Sequence, residues 1–528
     1  MVARMTLGRA IAVVGGFTML SRLLGFARDM AMARVLGAGP VADAFFIAFK
    51  LPNFFRRLFA EGAFASAFVP LFAAERARGG VAEAAAFARE AQAALLAVLL
   101  PFTALAILAM PVVVALIAPG LRDTPQTIAW AIDFGRIAFP YLVFISLVSL
   151  YGGALNGLER FGHAAATQML LNVVLLVALF ALSPILPNPG YALAIGVFVA
   201  GIVQWLWLLD ACRRAGLSMT PRWPTLGPRI RRMLALILPS AIGAGAFQIN
   251  AMLDVVWASF MADGAISVLY YADRINQLPL GVVGIAIGTS LLPLLSRQLR
   301  DGSTEAAMAN QNRAIEFGLL FSLPAAAALG VAALPIMATL FEGGKFGPAE
   351  SARAAAALEA FAIGLPAFIL VKALATGFYA REDTRTPLFI ALASIALNVM
   401  LNGAFLWVTD LQHVGVALAS SLSGWLNAAL LGWVLIRRQH LIADARLKSR
   451  AWRMLAAAVA MGLGLWLALH LAGGVFATPG VARWLALAAL CAGGAAIYSA
   501  LGAALGIVRI SEIGALLRRQ AGVRPEID

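Results

Sequence analysis

Residues 164–209 read AAATQMLLNVVLLVALFALSPILPNPGYALAIGVFVAGIVQWLWLL, a stretch without a single Asp, Glu, Lys or Arg. Pro187, Asn188 and Pro189 divide it into two apolar runs, 164–186 and 190–211. At about 1.5 Å per helical residue, each is long enough to cross a hydrocarbon layer of about 30 Å. Arg160 stands before the first run, and Arg213 and Arg214 follow the second. Basic residues are retained on the cytoplasmic side of a bilayer, so the stretch reads as a transmembrane hairpin with both ends inside. Backbone groups find no water in hydrocarbon and must bond within their own segment, which makes both runs helices.

The same pattern extends over the chain. Of its 528 residues 62% are hydrophobic and 12% charged, with a mean hydropathy of +0.88; soluble proteins carry about 25% charge. A water-soluble globule is excluded. Apolar segments fall near 8–36, 42–73, 91–118, 132–157, 164–186, 190–211, 231–262 and 266–296, then near 314–341, 355–380, 386–409, 413–436, 454–472 and 482–506. The expectation is an all-α polytopic membrane protein with fourteen transmembrane helices. The first segment holds Arg22 and Arg28 and lacks a small-residue cleavage pattern, so it reads as a retained span. Cys212 and Cys491 are too far apart in sequence to suggest a metal-ligand pair, and no phosphate-binding GxxxxGK[ST] loop occurs.

The chain has 40 Lys plus Arg against 26 Asp plus Glu, a net charge of +14, and only Lys50, Lys345, Lys372 and Lys448 are lysine. The basic residues concentrate at the N-terminus, at 74–90, 158–163, 212–232, 297–313, 381–385 and 437–453, and in the tail from Arg509; the alternate loops hold only Arg122, Lys345, Arg353 and Arg483. That bias places both termini in the cytoplasm. Because the excess is spread over many short loops, no nucleic-acid partner is expected.

An internal repeat runs through the chain at offsets of 225 to 227 residues. Asp29 with Gly39 matches Asp254 with Gly264, Leu51-Pro52 matches Leu278-Pro279, and Leu171-Asn172-Val173 matches Leu397-Asn398-Val399. Ala192-Leu193-Ala194 matches Ala417-Leu418-Ala419, and Arg160 matches Arg385. The organisation expected is an N-lobe of six spans (1–211), a basic linker (212–230), a C-lobe of six spans (231–437), a basic loop (438–453), two appended spans (454–506) and a tail (507–528). An even number of spans per half relates the lobes by a pseudo-two-fold along the membrane normal, the parallel-repeat plan of many secondary transporters, with substrate between the halves.

Charges inside spans are costly, about 2.5–3.5 kcal/mol each at a span centre on insertion scales, and mark functional sites by default. They are Arg22, Arg28, Arg34, Lys50, Arg56, Arg57, Arg136, Arg274 and Lys372. Arg34 and Arg136 lie near span ends and can reach the headgroups; Lys372 has no assigned role. On span 2, Asp43, Lys50 and Arg57 repeat at seven residues with Asn53 and Glu61 one turn either side of Arg57, a polar stripe that must face the bundle interior. On span 8, Tyr270-Tyr271-Ala272-Asp273-Arg274 precedes Pro279, an expected kink. Arginine keeps its charge and offers a planar fork suited to two phosphate oxygens. The cluster therefore suits a phosphate; the alternative is that Asp29, Asp43, Glu61 and Asp273 pair these arginines as internal glue.

The blocks Ser21-Arg22-Leu23-Leu24-Gly25-Phe26-Ala27-Arg28-Asp29, Asp43-Ala44-Phe45-Phe46, Lys50-Leu51-Pro52-Asn53 with Arg56-Arg57, Tyr270 to Arg274 and Gly377 to Pro387 resemble the MurJ/MviN family of lipid II flippases, over essentially the whole chain. The resemblance implies the multidrug/oligosaccharidyl-lipid/polysaccharide exporter fold and a bacterial inner-membrane address. It also implies alternating-access transfer of undecaprenyl-pyrophosphate-linked disaccharide-pentapeptide for peptidoglycan synthesis, with no enzymatic activity. Arg22, Arg28, Arg56 and Arg274 take the positions of the family's functional arginines, with Asp43, Asn53 and Ser267 as polar neighbours; Lys50 and Arg57 join them from the stripe. Some members have an acid where this chain has Gln277, so no carboxylate role transfers there. Spans 13 and 14 would form the groove for the lipid tail. No resident cofactor is expected, but Na⁺ or H⁺ coupling is, with Asp29, Asp254 and Asp383 as candidates and Asp254 as the possible Na⁺ ligand, since Phe247 to Phe260 contains no Lys or Arg. Partners would be lipid II, membrane lipids and other cell-wall synthesis proteins. The rival readings are a flippase for another polyprenyl-linked saccharide, a drug exporter of the same fold, or a membrane enzyme. The last would need a carboxylate constellation at the outer face, where only Asp123, Asp263, Glu342, Glu350 and Asp410 are scattered.

Overall fold

The computed structural model describes residues 7–59 and 63–507, with side chains left undescribed at 7–14, 57–59, 63, 65, 66, 238–251, 285 and 473. The described chain is helical, and its one β-type pairing is the isolated bridge between Gly343 and Phe346. It forms two compact units, 1–267 with 343–347 and 268–342 with 348–528.

The first unit contains α1 (Leu7–Leu36), α2 (Pro40–Phe59), α3 (Ala63–Leu108), α4 (Met110–Ile117), α5 (Pro125–Ala138), α6 (Tyr141–Gly157), α7 (Phe161–Leu182), α8 (Pro189–Arg214) and α9 (Pro228–Ala258). The hairpin read from residues 164–209 is α7 packed on α8. Asn188 starts α8 by accepting the Gly190 N–H at 2.9 Å, and Pro189 follows at the first helical position, where its missing donor costs nothing. α1 packs on α7, α2 on α5, α3 on α6, and α9 against α3, α2 and α4.

α10 (Ala265–Pro279) begins in the last residues of that unit and continues into the second. There follow α11 (Ile285–Arg300), α12 (Thr304–Val331), α13 (Ala333–Phe341), α14 (Pro348–Tyr379), α15 (Arg385–Val408), α16 (Gln412–Arg437), α17 (Ala445–Ala472) and α18 (Val481–Ala504). α14 is the hub, packed on α12, α13 and α16, while α17 lies on α12 and α18 on α17. At Pro279, where the sequence suggested a kink, the helix passes into a π-helical turn, Leu280–Gly284.

Among the described residues eleven helices are long and apolar enough to cross a membrane, and they cover the segments read as spans 3 to 6 and 8 to 14. Spans 1, 2 and 7 correspond to α1, α2 and α9. α2 falls outside the apolar set because Asp43, Lys50, Arg56 and Arg57 crowd its 20 residues. The segment read as span 2, 42–73, is described as two elements, α2 up to Phe59 and, from Ala63 and including Pro70, α3, whose two arms meet at a break at Gly79 and Gly80. Phe68 of one arm stacks on Phe87 of the other, ring centroids 5.6 Å apart, so apolar packing folds the expected loop 74–90 into helix.

Two glycines let the 343–347 segment dock on the end of α1. The Lys345 N–H donates to the Arg34 carbonyl at 2.8 Å. A Cβ on Gly344, where φ is +57°, would sit 2.2 Å from that carbonyl oxygen, and one on Gly37, at φ +76°, 2.6 Å from the Lys345 carbonyl.

Helix contact is also set by glycine at α14 on α16, where a Cβ on Gly364 would meet the Ser421 side chain and Cα at 2.6–2.8 Å. Gly364→Ala should therefore destabilise the detergent-solubilised protein by about 1–3 kcal/mol through overpacking. Gly493→Ala in α18, with nothing within 4 Å, should raise stability by about 0.5–1 kcal/mol through helix propensity. Thermal unfolding of the two variants checks both signs.

Candidate functional site

Arg28 and Asp29 are brought together as a buried ion pair. Arg28 donates from Nε and Nη2 to Asp29 Oδ1 at 3.0 and 2.6 Å, and from Nη1 to Asn172 Oδ1 at 2.9 Å. Asn172 in turn donates to the Ser21 carbonyl at 3.0 Å. Asp29 has no exposed surface and Arg28 is 5% exposed. Sequence neighbours on α1 thus reach across to α7, and the guanidinium fork is directed at protein acceptors. Removing one partner of such a buried pair is strongly destabilising, because the other charge is left in low dielectric. Asn172 was visible in sequence only as half of a repeat; its counterpart Asn398 is equally buried, donates to Ser420 of α16 and accepts from Asn402 one turn further along α15.

Asp43 and Ser267 also meet. The Asp43 carboxylate accepts the Gly264 N–H at 2.6 Å and the Ser267 N–H at 2.7 Å, while Ser267 Oγ donates to the Gly264 carbonyl at 3.0 Å. A residue of α2 therefore caps α10 and meets the positive end of its dipole. Further along α2, Arg56 Nε donates to Asn53 Oδ1 at 3.2 Å, and Asn53 donates to the Phe49 carbonyl. Arg22 is exposed and makes no ion pair among the described residues; Lys50 is half-buried. Arg57 and Glu61 lie outside the described side chains, as do Gln248 and Asn250 near half-buried Asp254.

In the second unit, Arg274 is half-buried on α10 beside Asp273. Gln277 donates to Asp273 Oδ2 one turn away, a contact an acid at that position could make only when protonated. Lys372 is exposed on α14. Asp383 accepts from Thr386 N at 2.9 Å, from Thr386 Oγ1 at 2.6 Å and from Arg438 at 2.7 Å. Burial alone would raise its pKa, but those hydrogen bonds and the Arg438 charge outweigh it and hold the carboxyl at about 2. It is a helix cap in an ion pair and stays ionised near neutral pH.

One charged cluster escaped the sequence reading. Glu316, buried in α12, accepts from Arg313, Arg446 and Arg450, and Arg313 also reaches Asp444. Asp444 caps α17 through the Leu447 N–H at 2.6 Å. A lone acid inside the apolar segment 314–341 was the available signal. At the start of α18, buried Arg483 pairs with Glu342 at 3.2 Å. Among the described residues no three His, Cys, Asp or Glu side chains gather as a metal site.

Comparison with known proteins identifies the constellation's relatives. The family model for lipid II flippase MurJ matches residues 32–482. A probable lipid II flippase MurJ of Rhizobium meliloti (strain 1021) is 45% identical over 526 residues, covering 98% of this chain and 97% of that protein. The lipid II flippase MurJ of Burkholderia cenocepacia is 36% identical over 431 residues, covering 81% and 83%. Among solved structures, lipid II flippase MurJ in an inward closed conformation superposes with a TM-score of 0.77 at 23% identity, covering 93% of this chain and 98% of that one. An inward-facing multidrug resistance MATE transporter of the MOP superfamily does so at 0.67 and 16% identity, covering 83% and 99%. At these identities the structural likenesses speak for the fold.

The Asp383 cap generates a pH prediction. A carboxyl whose folded pKa is about 2, below its ordinary 3.8, contributes stability above the higher value and loses it as pH falls through the lower. The thermal stability deficit of Asp383→Asn relative to the parent should be constant between about pH 5 and 7 and shrink below about pH 4. A deficit unchanged down to pH 2 would remove Asp383 from that role.

Proposed function

The chain belongs to the lipid II flippase MurJ family, and from that membership we propose how it handles its substrate. It is a multi-pass membrane protein and a lipid II flippase, a transporter and not a catalyst. The observation that carries this is 45% identity sustained over 98% of the chain. Depletion of the protein in its host should leave lipid II confined to the inner leaflet.

The finer reading is fourteen spans in two six-span lobes with two appended spans for the lipid tail, in a bacterial inner membrane with both termini cytoplasmic, working by alternating access. The charge asymmetry of the loops and the repeat support it. Arg22, Arg56 and Arg274, with Lys50 and Arg57, bind the pyrophosphate, and Asn53 positions Arg56. Arg28 takes part by exchanging Asp29 for phosphate, since its fork already has protein acceptors. Asp43 and Ser267 act through the start of α10, where they are joined. Other cell-wall synthesis proteins are partners by the logic of supply and use of the same lipid.

Arg22→Ala, Arg56→Ala and Arg274→Ala should each lower lipid II transfer in reconstituted vesicles by about tenfold or more, the equivalent of one charge-assisted hydrogen bond, at normal folded levels. Arg28→Lys should rescue poorly because an ammonium lacks the fork. Parent rates in all four variants would return these cations to a packing role.

Coupling is assigned to Asp254, the repeat counterpart of Asp29. A carboxylate within a span suits a proton, or a Na⁺ ion whose remaining ligands are backbone carbonyls. Asp254→Asn should abolish the dependence of transfer on pH and sodium. An unchanged dependence on both would exclude the coupling role.

A further inference from the structure

The stretch from the last turn of α8 to the start of α9 carries Arg213, Arg214, Arg222, Arg229, Arg231 and Arg232 without an acid between them. It is not helical from Leu217 to Gly227, yet it is tied down. Leu217 and Met219 are buried at 0% and 6% exposure, and the Leu217 N–H donates to the Cys212 carbonyl. Arg222 reaches Glu90 on α3 at 3.4 Å, and Arg229 reaches Glu75 and Glu83 of the same helix. Between these ties the chain turns Trp223 outward at 88% exposure and Leu226 at 65%.

Pro221, Arg222, Trp223 and Pro224 form one wall of a cavity of about 350 Å³. The other wall is the α3 face with Ala93, Leu96, Ala97 and Leu100, which continues onto outward-facing Val98 and Leu105. That volume is within the range of small-ligand sites. The cavity is almost wholly apolar in lining, carries a cation at its rim, and is continuous with a surface that in a spanning helix faces lipid. Indole rings settle at the headgroup level, and basic segments beside spans attract anionic lipid. Arg213, Arg231 and Arg232 are exposed and make no ion pair among the described residues, so positive charge remains after the acids of α3 are matched. A soluble anion would have no use for the apolar floor, and a neutral lipid none for Arg222 at the rim.

We propose that this cavity is a binding site for an anionic glycerophospholipid, one acyl chain lying along Ala93, Ala97 and Leu100 with the phosphate at Arg222 and Trp223 packed over the glycerol region. The inference uses the reading of this linker as cytoplasmic only to place the lipid in the inner leaflet. The binding itself is independent of that reading and of the flippase assignment.

The test is native mass spectrometry of the full chain released from micelles containing equal amounts of phosphatidylglycerol and phosphatidylethanolamine. The parent should retain phosphatidylglycerol in preference, and Arg222→Gln should lower that preference about fivefold. Ala97→Phe, which fills the cavity and leaves every arginine, should lower retention of phosphatidylglycerol to a similar degree. Glu90→Gln removes the carboxylate that competes for Arg222 and should raise the preference, a gain that a misfolded variant cannot produce. Equal retention of both lipids by the parent, a preference unmoved by Arg222→Gln and Ala97→Phe, a preference lowered by Glu90→Gln, or displacement of the lipid by inorganic phosphate at millimolar concentration would each overturn the assignment.

Discussion

A charge inside an apolar helix bundle is tolerated only where a counter-charge, a helix dipole or water meets it, and much of this chain's local structure follows from that condition. The Arg28–Asp29 pair shows its strictest form. Both groups are buried, they are adjacent on α1, and the guanidinium also donates to Asn172 of α7. The pair adds little by itself, since desolvation offsets attraction. What it does is link the helices: Asn172 of α7 bridges Arg28 and the Ser21 carbonyl of α1.

Carboxylates meet the condition in a second, recurring way. Asp43 caps α10, Asp383 caps α15 and Asp444 caps α17, each accepting a backbone N–H from the first turn of its helix. In the two loop cases an arginine also neutralises the carboxylate, Arg438 for Asp383 and Arg313 for Asp444. Asp43 differs in coming from another helix, 221 residues away from the Gly264 amide it binds. The two hydrogen bonds to Gly264 and Ser267 thus tie α2 to the start of α10.

The arginines divide accordingly. Arg28, Arg313, Arg450 and Arg483 are committed to acids or carbonyls inside their own unit. Arg22 is exposed on α1, and Arg56 donates to the neutral amide of Asn53 at 3.2 Å. The mere count of cations in spans does not distinguish these settings; the partners of each guanidinium do.

The hairpin of α7 and α8 was legible in residues 164–209, because hydropathy, turn prolines and flanking arginines are local properties that a bilayer reads segment by segment. The family was legible for a related reason: its arginine-bearing blocks are short and contiguous. The folding of residues 74–90 into helix was not, since stacking of Phe68 on Phe87 depends on how α3 doubles back at its glycines. Nor could spacing reveal that Arg28 is closed by a residue 144 positions away, or that Glu316 gathers arginines from α12 and α17. Sequence alone determined that the chain is a bundle of membrane helices and which residue types enter it, because transfer into lipid depends on composition over about twenty residues. Only the tertiary structure decided which of those charges are occupied, because a hydrogen bond is fixed by distances of about 3 Å between helices whose order in the chain carries no such information.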